Sequence, residues 1–287
     1  MYGNVSKSGY YKYRKTLIDK QSHESHDREE FSYILKAFSH RGFKKGSRTI
    51  YMILMREGHP MSRNKIRRLM RKYNLFCPIR KPNIQVRINS EIEVNAVVPN
   101  KLMRQFENNG PRYSLLTDIT YLFYGNCKKC YLSVIKDAYT KEILGYKVSN
   151  NMEEEFVLET IEMVYKNHRN EIPQTAMIHS DQGAHYKAKA FKELLKDYEL
   201  VQSMSRKANC WDNAPQESFF GHMKDEIDLA NCSEYEDVVK LIDSYIDYYN
   251  NDRPQWKLAY LTPSEFYKYT KTGQYPLKLN EIPKKLK

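Results

Sequence analysis

YSLLTDITYLFYGNCKKCYLSVIKDAYTKEILGYKVS, residues 113–149, is the stretch whose reading decides the fold. It holds three β-rich runs, YSLLTDITYLFY, CYLSVIKDAY and KEILGYKVS, joined by the short connections YGNCKK and YTK. Connections this short join antiparallel neighbours, so the stretch predicts a three-stranded meander. Downstream the period changes. NMEEEFVLETIEMVYKNH predicts a helix capped by Asn150 or Asn151, with acids in its first turn and His168-Arg169 near its end, as the helix dipole favours. TAMIHSD predicts a short buried strand, AKAFKELLKDY a helix and LVQSMS another strand. After the polar loop RKANCWDN, APQESFFGHMKDEI predicts a helix with Pro215 in its first turn. The order β-β-β-α-β-α-β-α is that of an α/β domain with a mixed sheet and flanking helices. A further helix, EYEDVVKLIDSYIDYYNND, then RPQWKLAYLTPSEFYKY and a basic tail complete the chain.

Upstream of the meander the charge is uneven. The 287 residues carry a net charge of +12, and residues 41–81 alone hold 13 Lys and Arg against one acid, Glu57. A cationic block on an otherwise near-neutral chain calls for a polyanion. The block also carries two short helix patterns. Ser47 is placed to cap RTIYMILMRE, Gly58-His59-Pro60 ends it, and Ser62 is placed to cap RNKIRRLMRKY with Ile66, Leu69 and Met70 inward. Helix, tight turn and basic second helix is the layout of a small all-α helix-turn-helix. Its expected outward positions are Arg63, Lys65, Arg67, Arg68, Arg71 and Lys72, which can meet DNA phosphates or base edges. Five regions follow from this reading: a polar lead-in at 1–40, weakly structured to about residue 28 and then a helix; the helix-turn-helix at 41–75; a linker at 76–111 with an extended piece at Val94–Val98; a core at 112–232; and a helical extension and tail at 233–287.

Three carboxylates fall at telling places. Asp118 lies mid-strand, Asp181 at the end of the fourth strand and Glu217 on the helix that follows the polar loop; 63 positions separate the first two and 35 residues intervene before the third. An acid in a strand interior is disfavoured, and a buried charge is costly unless it is paired or binds a metal. Neither Asp118 nor Asp181 has a basic sequence neighbour. Carboxylate oxygens suit hard divalent cations. Two such ions about 4 Å apart would serve an in-line displacement at phosphorus without a protein nucleophile.

DITY, HSDQG, the 35-residue gap to Glu217 and Lys224 seven positions beyond it resemble the DDE transposase and retroviral-integrase superfamily. The resemblance is nearest to the second-frame (OrfB-like) product of bacterial insertion sequences of the two-reading-frame type, whose signatures SMSRKANCWDNAPQESFF and YYNNDRPQWKLAYLTPSEFY resemble. It covers residues 112–270, and 40–75 more loosely. It implies an RNase H-like fold with Asp118, Asp181 and Glu217 as catalytic ligands of two Mg²⁺ or Mn²⁺ ions. It also implies cleavage at the element's ends and strand transfer into target DNA. Lys224 would lie near the transposon end. The expected partners are double-stranded DNA (terminal inverted repeats and target), a further copy of the chain, since two ends must meet, and a first-frame (OrfA-like) protein or fusion segment. Two rival readings are a silent transposase-derived repressor and a general RNase H-type nuclease. The chain departs from the family in AHY after HSDQG and in Gln255-Trp256, neither of which touches the acids.

Other residues carry smaller expectations. Asp137 reads as a turn former, with an auxiliary acid near the metals as the alternative, and His179 and His185 as packing or solvent contacts, with DNA or a metal-bound water as the alternative. Asn213 reads either as a helix cap or as a DNA contact, together with Asn209 and Asp212. Trp211 and Trp256 read as packing residues, and Arg253 is given no role. The five cysteines form no disulfide framework, and Cys127 and Cys130 lack the second pair a zinc site needs. No apolar run is long enough to span a membrane, which fits a cytoplasmic, nucleoid-associated protein.

Overall fold

The structure, a computed structural model, describes residues 6–77, 98–103, 109–205 and 213–279. Two compact units emerge, one running to Cys77 and taking in Lys278 and Leu279, the other formed by the rest of the chain after Cys77. The extended piece expected at Val94–Val98 (for its residues 94–97), Asn209, Trp211 and Asp212 lie outside the described residues.

The first unit is three helices. α1 runs Lys7–Ser39, α2 Ser47–Arg56 and α3 Arg63–Lys72. Ile34, Ile50, Leu54, Ile66 and Leu69 close its apolar centre. α1 starts some twenty residues earlier than its sequence pattern suggests. Its first half has no apolar stripe to betray it, and only Asp27, Ile34 and Ala37 along its length are buried. The Ser6 hydroxyl caps it by accepting from the Gly9 N–H. At its other end the buried Lys45 ammonium donates to the Phe38, His40 and Phe43 carbonyls, satisfying orphaned acceptors of the last turn. Ser62 caps α3 as expected, accepting from the Lys65 N–H at 3.2 Å. Ser47 does not cap α2. Gly46 holds that position and Ser47 is already helical.

The second unit is built on a five-stranded sheet of order β3-β2-β1-β4-β5. β1 (Ser114–Tyr124), β2 (Lys128–Asp137) and β3 (Ile143–Ser149) form the antiparallel meander, and β4 (Met177–Ser180) and β5 (Val201–Met204) join parallel to it. This is the mixed RNase H-like sheet. Leu115, Tyr131 and Ile135 face α4 (Glu154–His168) and α6 (Lys189–Asp197) in one core, after the single turn α5 (Ala184–Lys187). Gly145 lets α4 press onto β3: a β-carbon there would stand 2.5 Å from Val164 Cγ2 and 3.0 Å from the Thr160 carbonyl. The α4 cap is Glu153, not Asn150 or Asn151, and it makes no side-chain cap bond.

The other sheet face receives α7 (Ala214–Glu226), and α8 (Tyr235–Asn251) packs against it through Phe219, Tyr245 and Tyr249. Asn250 ties α8 to β3 through both the N–H and the carbonyl of Ile143. Arg253, given no role by the sequence, is buried and grips Glu226 with three N–H donations. α9 (Pro263–Thr272) follows a Thr262–Glu265 capping box. Asp137 is the expected turn former, accepting from Tyr139 N–H and Thr140 Oγ1; it also receives Arg112, whose guanidinium reaches Glu142 and Glu171 as well. Among the described residues no helix is long and apolar enough to cross a membrane.

Candidate active site

Side chains opposite each other in an antiparallel pair share a sheet face, as do alternate residues of one strand. Leu116 is opposite Lys136, and Asp118 is opposite Val134. Asp118 and Lys136 are therefore diagonal neighbours on the face that receives α7. Asp181 follows the last residue of β4, the parallel neighbour of β1. Glu217 lies in the first turn of α7. Strand interior, strand end and helix start thus bring the three acids to one side of the sheet.

Their electrostatics record the approach. The Asp118 carboxyl is pushed up from 3.8 to about 8, first by burial, then by the charge of Asp181; Glu217 pushes the same way, while the Ile119 N–H and Lys136 pull back. One Asp118 oxygen accepts from its neighbour's N–H (Ile119, 2.8 Å) and the other from Asn213 Nδ2 (3.2 Å). Asp181 is exposed, with Oδ1 on the Gly183 N–H at 2.8 Å, and Glu217 is exposed. Among the described residues no three acidic, His or Cys side chains sit close enough, as they stand, to hold an ion. The donor set nonetheless fits a divalent cation. It is all oxygen, and its mutual repulsion at Asp118 is the charge such an ion would neutralise.

Asn213 does not cap α7 with its side chain; it reaches Asp118 instead. Lys224, half-buried, donates to Thr120 Oγ1 at 2.6 Å, two residues along β1 from Asp118. His179 is packed, between the Ser203 and Ser205 hydroxyls. His185 is half-buried on α5, and Trp256 leans on Tyr260. Two residues here escaped the sequence reading. Lys136 Nζ donates to the Pro215 carbonyl, and Gln216 Nε2 donates to the Val134 carbonyl at 3.3 Å. The only signal for Lys136 was a cation ending the apolar run of CYLSVIKD.

The basic helix α3 needs a larger correction. Lys65, Arg68 and Lys72 pair with acids of α1; Arg68 and Lys72 are exposed as expected, while Lys65 is half-buried. Lys65 pairs with Glu30, Arg68 grips Asp27 with two N–H donations at 2.8 and 2.6 Å, and Lys72 meets Glu24 and Asp27 at 2.5 and 2.7 Å. Arg68 and Lys72 hold the Asp27 carboxyl well below the usual range. Asn64, Arg67 and Arg71 are exposed on a different side of α3, and Arg63 is half-buried at its start.

Comparison with known proteins agrees with the fold. Residues 108–210 and 198–263 match two integrase core domain families, and residues 25–83 match an HTH-like domain. The InsK protein of insertion sequence element IS150 of Escherichia coli (strain K12) is 34% identical over 226 residues, 77% of this chain and 76% of that one. The 31 kDa protein of insertion element IS600 of Shigella sonnei is 31% identical over 270 residues, 91% of this chain and 94% of that one. Among solved structures, the HTLV-2 integrase catalytic core domain in complex with magnesium aligns at 17% identity and a TM-score of 0.42, covering 55% of this chain and 97% of that one.

Proposed function

Because the chain belongs to the insertion-sequence transposases with an integrase core, we propose that it cuts and joins DNA at Asp118, Asp181 and Glu217, which hold two divalent metal ions, Mg²⁺ or Mn²⁺. The observation that carries this reading is the convergence of three carboxylates from β1, the end of β4 and α7, near enough for two of them to raise the third. When bound, the ions supply Lewis-acid activation of the attacking hydroxyl and stabilise the leaving 3′-oxygen. The protein's own part is orientation. Asn213 and the Ile119 N–H fix the Asp118 carboxylate, and the Gly183 N–H fixes that of Asp181. Lys224, anchored on Thr120, stands beside the acids as a contact for the transposon end.

The first unit holds DNA through one side of α3, Arg67 and Arg71 with Arg63 at the helix start, while Lys65, Arg68 and Lys72 are engaged by α1. Two element ends must meet, so the working form is at least a dimer, aided by a first-frame protein or fusion segment. The test is a labelled duplex bearing the element's terminal inverted repeat, incubated with protein and Mg²⁺ or Mn²⁺. Strand cleavage and joining are expected from the wild type. Asp118→Asn should bind the duplex and lose joining. Joining by that variant would show the acids to be misassigned.

A further inference from the structure

Lys136 is 2% exposed on a strand of the sheet core. Such a residue demands a reason, because burying an ammonium group is costly unless it is paired and hydrogen-bonded. No acid bonds it. Its ammonium meets the Pro215 carbonyl, in the first turn of α7, and the Phe219 ring, whose centroid is 5.5 Å away. The pairing of β2 with β3 is also irregular at this residue. Ile135 is opposite Gly145 but Lys136 is opposite Ile143, so Leu144 is an extra residue in β3. Bulges of this kind re-aim a side chain. Gln216, next after Pro215, donates to the Val134 carbonyl, and Asn213 donates to Asp118. The turn of backbone just before Glu217 is thus held at three points, one on β1 and two on β2.

We propose that Lys136 is a positioning residue: by holding the Pro215 carbonyl it fixes the first turn of α7 on β2 and sets the distance from Glu217 to Asp118. The inference rests on the three-acid reading and deepens it. A carbonyl has two lone pairs, so Pro215 can keep a helical partner when Lys136 lets go. What is lost is the tie between helix and strand. A shift of about 1 Å in the reach of one ligand is enough to weaken a site that needs its groups held within about 0.5 Å.

The test is metal binding by the full chain, measured with Mn²⁺ by calorimetry and electron spin resonance without DNA, beside thermal melting. Lys136→Met keeps the stem and removes the donor. It should weaken Mn²⁺ binding about tenfold with the melting temperature little changed, and joining should demand correspondingly more metal. In a Glu217→Gln background, whose own Mn²⁺ binding is already weakened, Lys136→Met should bring no further loss, because its effect passes through Glu217. Unchanged Mn²⁺ affinity in Lys136→Met alone, while Glu217→Gln weakens it, overturns the inference and leaves the acids in place. An equal further loss in the Glu217→Gln background also overturns it. Unchanged affinity in Glu217→Gln, by contrast, overturns the three-acid reading itself. Should Lys136→Met fail to fold, Gln216→Leu, which frees the next residue from β2, tests the same hold and should weaken Mn²⁺ in the same way.

Discussion

Asp118→Asn should stabilise this protein when metal is withheld, because burial and like charges oppose the ionised carboxyl in the fold. The Asp118 carboxyl stands at about 8 in the fold against 3.8 unfolded. A raised acid means that the fold disfavours the ionised form. Below about pH 4 the group is protonated folded or unfolded and costs nothing. As pH climbs from about 4 to about 8 the unfolded state gains by ionising and the fold does not, so wild-type stability falls relative to the variant; above about 8 the difference is flat. At about 1.4 kcal/mol per pH unit the ceiling is about 6 kcal/mol. Asp118 is half-buried, and relaxation and water lower the effective field, so about 2 kcal/mol at pH 8 is the expected gain.

The substitution suits the site. The introduced amide can still accept from the Ile119 N–H, and the Asn213 amide can turn so that its Oδ1, buried and without a hydrogen-bond partner among the described residues, accepts the new N–H. Urea unfolding in a chelator, at intervals from pH 5 to 8, measures the difference. Both tryptophans, Trp211 and Trp256, fall after Cys77, so intrinsic fluorescence follows the core unit. Added Mg²⁺ should invert the order, stabilising the wild type by about 2.7 kcal/mol at a hundredfold over its dissociation constant and the variant far less. A variant no more stable than the wild type at pH 8 without metal, or a gain that does not grow with pH, would refute the account of opposed charges at Asp118.

The two rows of α3 should separate in solution. Arg67→Ala should leave melting of the first unit unchanged while weakening DNA binding and lowering the salt slope of anisotropy titrations by about one; Arg68→Ala, which removes one of the two cations on Asp27 and leaves Lys72, should lower the melting temperature slightly. Gly145→Ala must move Val164 or part α4 from β3, and about 2 kcal/mol of lost stability is expected in urea unfolding. Glu226→Gln leaves the buried Arg253 guanidinium without its counter-charge, and calorimetric melting should register a loss of about 3 to 5 kcal/mol.

Features that depend on nearby residues could be read from the sequence. The meander followed from residue types and short connections, the α3 cap from Ser62, the start of α7 from Pro215, and the mid-strand place of Asp118 from its flanking β-formers. Features with distant partners could not. Lys65, Arg68 and Lys72 look solvent-facing on any helical wheel, because their acids lie 35 to 48 residues earlier in a segment with no apolar stripe. The helix spacing of Glu24, Asp27 and Glu30 was present, but only the crossing of α1 over α3 gives it meaning. Asp118 seemed to lack a basic companion because Lys136 is its diagonal neighbour across the sheet, not along the chain.

The same distinction changes what the chain's charge says about DNA. The block at 41–81 has thirteen cations, but three of those on α3 are neutralised by α1 within the same unit. The unbalanced positive charge is therefore smaller than composition implies, and in the proposed function DNA would meet the side of α3 that carries Arg67 and Arg71. Those α1 pairs are partly exposed, so each adds little stability alone. Their larger consequence is geometric. By occupying one row of α3 they leave a single cationic side to face a phosphate backbone, which fixes how the helix can be turned when DNA is bound. Register on the duplex would then depend on acids in α1 that never touch it.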